Sequence, residues 1–285
     1  MAGQGMRPRT QTGAGAFADA LRRWRRCRHF SQLELAGRAG VSARHLSFLE
    51  TGRARPSRQM VLRLAGALDV PLRERNSLLL LAGFAPVFAE RPLDDPDLGA
   101  ARENLEFLLG AHEPFPAFVI DRRFDVVLAN RSHQRMLRWA LGGREPAEPV
   151  NVLRLVLDPG LLRPAICDWE VVASFLLRRL DRQLAVPESD GALGRLRQEL
   201  LELPGVERVA TSPPALDDGL LLVPFSYRVG GVRLSWLTTL ATFGAAVDLT
   251  LSETTLELLY PADEPTREIA RELAQRETAG SPPDR

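Results

Sequence analysis

The chain has 285 residues, 45% hydrophobic and 26% charged, with a formal net charge of +1. This composition is ordinary for a soluble globular protein, and the length allows two domains. No apolar run approaches the ~20 residues that a membrane-spanning helix needs, so we expect no membrane partner. Two distant cysteines, Cys27 and Cys167, argue against a disulfide framework or a zinc site, so no metal is predicted. Residues 1–14 contain no secretory signal and are predicted to be a disordered leader, which makes a cytoplasmic location the expectation.

The near-neutral total charge hides a strong asymmetry between the two parts of the chain. Residues 1–85 contain fifteen arginines and five acidic residues, a net charge of +10, which leaves −9 for residues 86–285. A basic segment of this kind is typical of phosphate binding. An ordinary helical bundle with solvated arginines is the alternative, and the asymmetry argues against it. All basic residues are arginine, also in the acidic part, so codon usage explains the absence of lysine better than function does.

The first predicted elements are an amphipathic helix over Phe17–Arg28 and a helix-turn-helix over residues 31–57. Ser31 and Glu34 form a capping-box pattern at the start of one helix, and Gly40 suits a turn with positive φ. Ser42 then caps a second helix that turns Leu46 and Leu49 inward. In the first helix, spacing predicts that one set of residues faces the core and another faces solvent: Phe17, Leu21 and Trp24 inward; Arg22, Arg23, Arg25 and Arg26 outward.

A second helix that begins at Ser42 would present its N-terminal outward face to the major groove of DNA. The residues predicted to read bases are Ala43, Arg44, His45 and Ser47. Arg44 is the strongest candidate, since arginine pairs bidentately with guanine. The residues predicted to contact phosphates are Gln32, Arg53, Arg55 and Arg58. Further helices over Arg58–Leu68 and Leu72–Ala82 complete an all-α unit of five helices at residues 15–86.

Residues 87–97 are rich in proline and acidic residues and are predicted to be a linker. Residues 98–276 are predicted to form an α+β domain, and residues 277–285 a disordered tail. Gly230-Gly231 favours a two-residue hairpin. The predicted antiparallel sheet has about five strands, with helices on one face. The predicted strands are Ala117–Ile120, Asp125–Ala129, Leu220–Val229, Val232–Ala241 and Val247–Tyr260. The predicted helices are Leu98–Ala111, a helix that Asn130 caps and that runs to about Leu141, Asn151–Val156, Trp169–Leu184, Leu193–Leu203 and Thr266–Gln275.

A curled sheet of this kind can enclose a small molecule. The candidate lining residues are Phe118, Ile120, Leu128, Asn130, Leu153, Leu176, Phe225, Leu234, Trp236, Thr238 and Phe243, with Thr239 beside them. Asn130, Thr238 and Thr239 could bind a polar head group, or could be satisfied turn and strand residues. The apolar residues could equally fill a closed core. His133 is expected on a polar helix face, and Glu257 is expected to face water.

The run RHLSFLETGRARPSRQMVLRLAGALDVPLRERNSLLLLAGFAP resembles the N-terminal half of xenobiotic-response-element (XRE) type regulators, whose helix-turn-helix is of the lambda-repressor kind. AFVIDRRFDVVLAN, VNVLRLVLDPGLLRP and LSWLTTLATFGAAVDLTLSETTLELLYPADEPT are similar to the C-terminal domain of MmyB-like regulators, which is PAS-like. The resemblance covers about residues 15–267. It implies a lambda-repressor-like head, a PAS-like body, and a small apolar, fatty-acid-like ligand.

Two functions follow from these patterns. The first is a nucleoid-associated transcriptional regulator that binds double-stranded DNA as a homodimer, with recognition helices about 34–36 Å apart, and responds to a small apolar ligand. The alternative is a DNA-bound protein-interaction or dimerisation module with a packed, ligand-free C-terminal domain. No glycine-rich phosphate loop, HExxH or GxSxG motif is present, so neither catalysis nor a cofactor is expected.

Overall fold

The computed structural model describes residues 13–185, 191–212, 224–244 and 246–278. They form two compact units: the described residues among 13–90 with 247–249, and those among 91–246 with 250–278. The predicted leader lies outside the described residues except for Gly13 and Ala14, which begin the first helix. The predicted tail lies outside them except for residues 277 and 278, which end the last helix.

The first unit contains the five predicted helices. They are α1 Gly13–Cys27, α2 Gln32–Ala39, α3 Ala43–Glu50, α4 Arg58–Ala67 and α5 Leu72–Leu81. Their apolar faces meet in one core, which includes the fully buried residues Phe17, Leu21, Leu35, Leu46, Leu49 and Leu64. The all-α class predicted for this unit is confirmed.

Local signals fix where the helices of the first unit begin and end. Ser31 and Glu34 form the predicted capping box, in which the Ser31 backbone N–H donates to Glu34 Oε2 at 2.7 Å. Gly40 ends α2 at φ 61°, in the left-handed region where glycine is least strained. Ser42 Oγ accepts a hydrogen bond from the His45 backbone N–H at 3.2 Å and so caps α3. Ser57 caps α4 in the same way.

The prediction that Arg25 faces solvent is wrong, because Arg25 pairs with the buried carboxylate of Glu50. Arg25 Nε lies 2.6 Å from Glu50 Oε1 and Nη2 lies 2.9 Å from Oε2. Gln32 donates to the same carboxylate at 2.8 Å. Burial alone raises the pKa of Glu50, but the hydrogen bonds from Arg25 and Gln32 outweigh it and hold the pKa below the usual 4.5. The pair therefore ties α1 and the start of α2 to the end of α3.

The second unit is an α+β fold, as predicted. Its helices are α6 Gly99–Ala111, α7 Arg131–Ala140, α8 Val152–Leu157, α9 Trp169–Leu184, α10 Gly191–Leu201, α11 Val206–Thr211, α12 Leu249–Glu253 and α13 Glu264–Thr278. Its strands are β1 Ala117–Ile120, β2 Val126–Ala129, β3 Ile166–Cys167, β4 Pro224–Val229, β5 Val232–Thr242 and β6 Thr255–Pro261. Short 3-10 turns lie at Pro96–Leu98 and Arg163–Ala165. Residues 220–223 of one predicted strand lie outside the described residues.

The strands form one antiparallel sheet in the order β2-β1-β6-β5-β4-β3. Gly230 and Gly231, at φ 57° and 82°, form the predicted two-residue turn between β4 and β5. The described sheet has six strands, one more than predicted. The additional strand is β3, which was not predicted because two residues are too few to show a period-2 pattern. The predicted strand Val247–Tyr260 is instead the short helix α12 followed by β6.

Both faces of the sheet are covered, which corrects the prediction of helices on one face. Phe118, Ile120 and Leu259 belong to the larger core, which also contains residues of α7, α8 and α9. The neighbouring residues Ala117, Val119 and Leu256 pack instead with Leu105 and Leu109 of α6. This division follows from the alternation of side chains along a strand. It sets which residues can reach a cavity on the α7–α9 side.

We expect Arg25→Met to destabilise the first unit by about 3–5 kcal/mol, because it leaves the Glu50 carboxylate buried without its ion-pair partner. The double variant Arg25→Met/Glu50→Leu removes both charges and should lose less stability than the single variant. Urea unfolding followed by circular dichroism measures both. Glu34→Gln, at an exposed capping box, is the control for loss of a carboxylate and should cost about 1 kcal/mol or less. A double variant as unstable as Arg25→Met would contradict the assigned role.

Candidate nucleic-acid interface and ligand cavity

Helix α3 presents its N-terminal face to solvent, as a base-reading helix must. Arg44 is exposed, and Ala43, His45 and Ser47 are half-buried beside it. The Arg44 guanidinium lies 5.5 Å from the Phe48 ring centroid, a cation–π contact that orients its side chain along the helix surface. The four residues predicted to read bases therefore occupy one turn at the accessible end of α3.

Three arginines extend this surface beyond α3. Arg53 and Arg55 lie exposed on the loop that follows Gly52, whose φ of 70° turns the chain, and Arg58 lies exposed at the first position of α4. Gln32 differs from them because its side-chain N–H already donates to Glu50. The structure therefore makes Gln32 a brace between α2 and α3.

The second unit contains a cavity of about 440 Å³ between α7, α8, α9 and the sheet. This volume lies within the range of about 300–1,000 Å³ found for small-molecule pockets. The walls are mainly aliphatic and aromatic. The apolar lining residues are Phe118, Met136, Leu137, Val152, Leu155, Val156, Leu162, Ile166, Val172, Phe175, Leu176, Phe225, Leu240 and Leu259.

A buried ion pair forms part of the cavity wall. Arg179 Nη1 of α9 lies 2.5 Å from Glu257 Oε1 of β6, and their side chains are 11% and 8% exposed. Burial raises the pKa of Glu257, and the positive charge of Arg179 opposes this shift. Arg179 also lies over the Phe124 ring, at 5.2 Å from its centroid. Opposite charges at this distance cancel, so the pair brings little net charge to the cavity.

His133 is a second polar group on the cavity wall. It is 6% exposed, and neither ring nitrogen has a hydrogen-bond partner among the described residues. Its ring centroid lies 4.4 Å from that of Phe118. Burial lowers the pKa of His133 to about 4, so the imidazole is neutral at pH 7. A neutral imidazole offers one N–H donor and one nitrogen acceptor. Both are unused here.

Four of the eleven predicted pocket residues line the cavity: Phe118, Leu176, Phe225 and Thr238, with Thr239 beside them. Phe118 and Phe225 contribute aromatic walls from β1 and β4, and Leu176 contributes from α9. Thr239 and Leu240 are exposed on β5, so the cavity reaches the protein surface at this part of the strand.

The other seven predicted pocket residues lie elsewhere, for three physical reasons. Ile120, Leu234 and Trp236 face the same side of the sheet as the cavity, and Leu153 belongs to α8 above it, but all four are packed in the larger core. Leu128 and Phe243 pack with the α6 cluster on the opposite face; Leu128 is the cross-strand partner of Val119. Asn130 is committed to structure: its Oδ1 caps α7, and its Nδ2 donates to two backbone carbonyls.

Two polar residues of the cavity, Glu257 and His133, were placed wrongly from the sequence. Glu257 was expected to face water and His133 to lie on a polar helix face. Glu257 shares its side of β6 with the buried Leu259, two residues on, and His133 lies one helical turn from the buried Met136 and Leu137. The strand period of 2 and the helix period of 3.6 place both residues on buried faces. The prediction was wrong because it assigned polar side chains to the solvent side regardless of these periods.

A helix-turn-helix unit with an exposed, capped second helix, together with an α+β unit around a mainly apolar cavity, defines a ligand-binding regulator class of DNA-binding protein. Residues 21–75 match the helix-turn-helix family, and residues 101–273 match the family of the MmyB-like transcription regulator ligand binding domain. The chain belongs to the MmyB-like transcription regulators, and the resemblance drawn from its sequence is confirmed. A search of curated proteins gave no match.

Among the described residues, no helix is both long enough and apolar enough to cross a membrane.

We expect the second unit of the wild-type protein to lose about 2 kcal/mol more stability between pH 7.5 and pH 5 than His133→Leu does. The folded-state pKa of His133 lies below its ordinary 6.5. Its burial therefore costs nothing extra above pH 6.5 and becomes destabilising as pH falls towards 4. Urea unfolding followed by tryptophan fluorescence measures the difference. His45→Ala, in the first unit, is the control. Equal pH profiles for wild type and His133→Leu would rule out a neutral, buried imidazole.

Proposed function

We propose that the protein binds a specific DNA site as a homodimer, and that a small apolar, fatty-acid-like molecule in the cavity modulates this binding. The proposed ligand is supported by the cavity itself, which has a volume of about 440 Å³ and largely apolar walls. A domain that served only for dimerisation or protein contact would gain stability by filling this space. The cavity therefore favours the ligand-responsive regulator over the packed interaction module.

In the proposed complex, Arg44 reads a base edge with Ala43, His45 and Ser47 around it. Arg53, Arg55 and Arg58 position the unit on phosphates, with a smaller part for Gln32. The support is exposure: Arg44 lies in solvent next to the capped start of α3, Arg53 and Arg55 on the loop behind α3, and Arg58 at the start of α4. A symmetric pair of such units reads two half-sites about 34–36 Å apart. DNA as a partner places the protein on the nucleoid in the cytoplasm, and the proposal contains no catalytic step.

The ligand acts on DNA binding only as far as it prefers one arrangement of the protein over another. Ligand and DNA must then affect each other's affinity by the same factor. This reciprocity makes the proposal measurable without knowledge of the operator's place in the genome.

For the DNA surface, we expect Arg44→Ala to weaken binding to the cognate site by about 1–3 kcal/mol, or roughly 5- to 150-fold, and to relax base preference. Arg55→Ala should weaken cognate and random duplexes alike, because phosphate contacts carry no sequence information. The measurement is a gel-shift series on a duplex selected from a random pool. Arg44→Lys keeps the charge but loses the bidentate fork and serves as the matched control. Equal losses on cognate and random DNA for Arg44→Ala would remove its base-reading role.

For the cavity, we expect alkyl ligands to bind about fourfold more tightly per added methylene, since each buried CH₂ contributes about 0.8 kcal/mol, until the cavity is full. Calorimetry with saturated C6 to C14 compounds measures the series, and mass spectrometry identifies molecules that copurify. Leu176→Trp, which places an indole in the cavity, should abolish the trend. Phe107→Trp adds an indole at a position that is 72% exposed and is the control. No binding at any chain length would leave the second unit as a dimerisation domain, and sedimentation would then test its partners.

A further inference from the structure

The polar end of the cavity is built from three elements that meet around Phe118. Phe118 of β1 is the direct cross-strand partner of Glu257 of β6, and its ring centroid lies 4.4 Å from that of His133 of α7, with the rings tilted by 40°. Cross-strand partners project to the same face of a sheet within about 5.5 Å of each other. Glu257 and His133 thus both neighbour Phe118, and with Arg179 they make up the polar patch of the cavity. The rest of the wall is apolar apart from Tyr227, Thr238 and Thr239.

The charge of this patch is already balanced. Among the described residues that line the cavity, the Arg179 guanidinium and the Glu257 carboxyl group form an ion pair at 2.5 Å. His133 is neutral because burial lowers its pKa to about 4. Tyr227, also in the lining, is a neutral phenol whose pKa is raised by burial and further by Glu257. A carboxylate that entered here would add a second negative charge beside Glu257, with one guanidinium to serve both.

The polar patch has balanced charges, but it still has unused hydrogen-bond donors and acceptors. His133 keeps one donor and one acceptor unused, and the described contacts of Arg179 engage one guanidinium N–H with Glu257. A hydroxyl, or a carboxylic acid that holds its proton, also has one donor and acceptor lone pairs. Such a head group matches the patch without a new charge.

Resting on the proposed ligand-binding function, we infer that the cavity accepts its ligand with no net charge: it takes a neutral amphiphile such as a long-chain alcohol directly, and a fatty acid only together with one proton from solvent. The proton resides on the ligand carboxyl or on Glu257, and in both cases the bound patch holds one negative charge against Arg179. The site therefore discriminates by the protonation of the head group, and the apolar wall supplies the affinity.

The test compares decanoic acid with 1-decanol on the full-length wild-type protein. The decanoic acid Kd should rise about tenfold per pH unit from pH 6.5 to 8.5, because one proton is bound per ligand, whereas the 1-decanol Kd should stay constant. Calorimetry in two buffers of different ionisation enthalpy should count one proton taken up with the acid and none with the alcohol. At pH 8.5 the alcohol should bind more tightly than the acid.

The variant Glu257→Gln leaves Arg179 unpaired. Decanoate should then bind without proton uptake, with a Kd at pH 8.5 at least tenfold below that of the wild type. Glu103→Gln, an exposed carboxylate on α6, is the matched control and should behave as wild type. If Glu257→Gln does not fold, the wild-type comparison still decides the question.

The outcomes separate two failures. Decanoate that binds with no proton uptake, and more tightly than 1-decanol at pH 8.5, would overturn the neutral head-group rule while leaving the ligand-binding function standing. Absence of binding by both compounds and by the rest of the alkyl series would overturn the proposed ligand function, and the inference with it.

Discussion

A charge removed from water must be paired, and this constraint shapes both units of the protein. Each contains a buried arginine–glutamate pair that joins residues far apart in sequence: Arg25 with Glu50, and Arg179 with Glu257. The two pairs differ in how completely they are satisfied. Glu50 receives two hydrogen bonds from Arg25 and a third from Gln32, so both of its carboxylate oxygens are satisfied. A pair whose hydrogen bonds are all made within the protein has a structural role.

The pair Arg179–Glu257 has a single described hydrogen bond and lies on a cavity wall. A buried polar group that lacks a hydrogen-bond partner has a high desolvation cost, and a ligand that supplies the partner gains binding free energy by removing that cost. The same is true of His133, whose ring nitrogens have no described partner. The first pair thus holds α3 in place, whereas the second leaves hydrogen-bonding groups on the cavity wall for the proposed head group.

Sequence patterns predicted the first unit almost completely, because its signals are local. Ser31, Gly40 and Ser42 act within three or four residues of themselves, so each cap could be read from the chain. Arg25 was misplaced since its partner, Glu50, lies 25 residues away, and no periodicity in α1 reveals that partner. In the second unit, the strand edges of β1 and the cap at Asn130 were also local and were predicted correctly. The cavity was only partly predicted: whether Phe118 lines a void while Ile120 fills the core depends on how α7, α8 and α9 pack over the sheet, which residue spacing does not encode.

Head-group chemistry matters even in so apolar a cavity, because the cost of burying a charge is comparable to the gain from burying an alkyl chain. A chain of about ten methylenes contributes roughly 8 kcal/mol on burial, enough for micromolar affinity, but any chain of that length contributes the same. An unpaired carboxylate in this environment costs several kcal/mol, a penalty as large as most of that gain. Apolar burial can therefore select length, and only the balance of charge around Arg179 and Glu257 can select among head groups. The proposed response to an amphiphile needs the second kind of selection, and the inferred head-group rule assigns it to His133 and the Arg179–Glu257 pair.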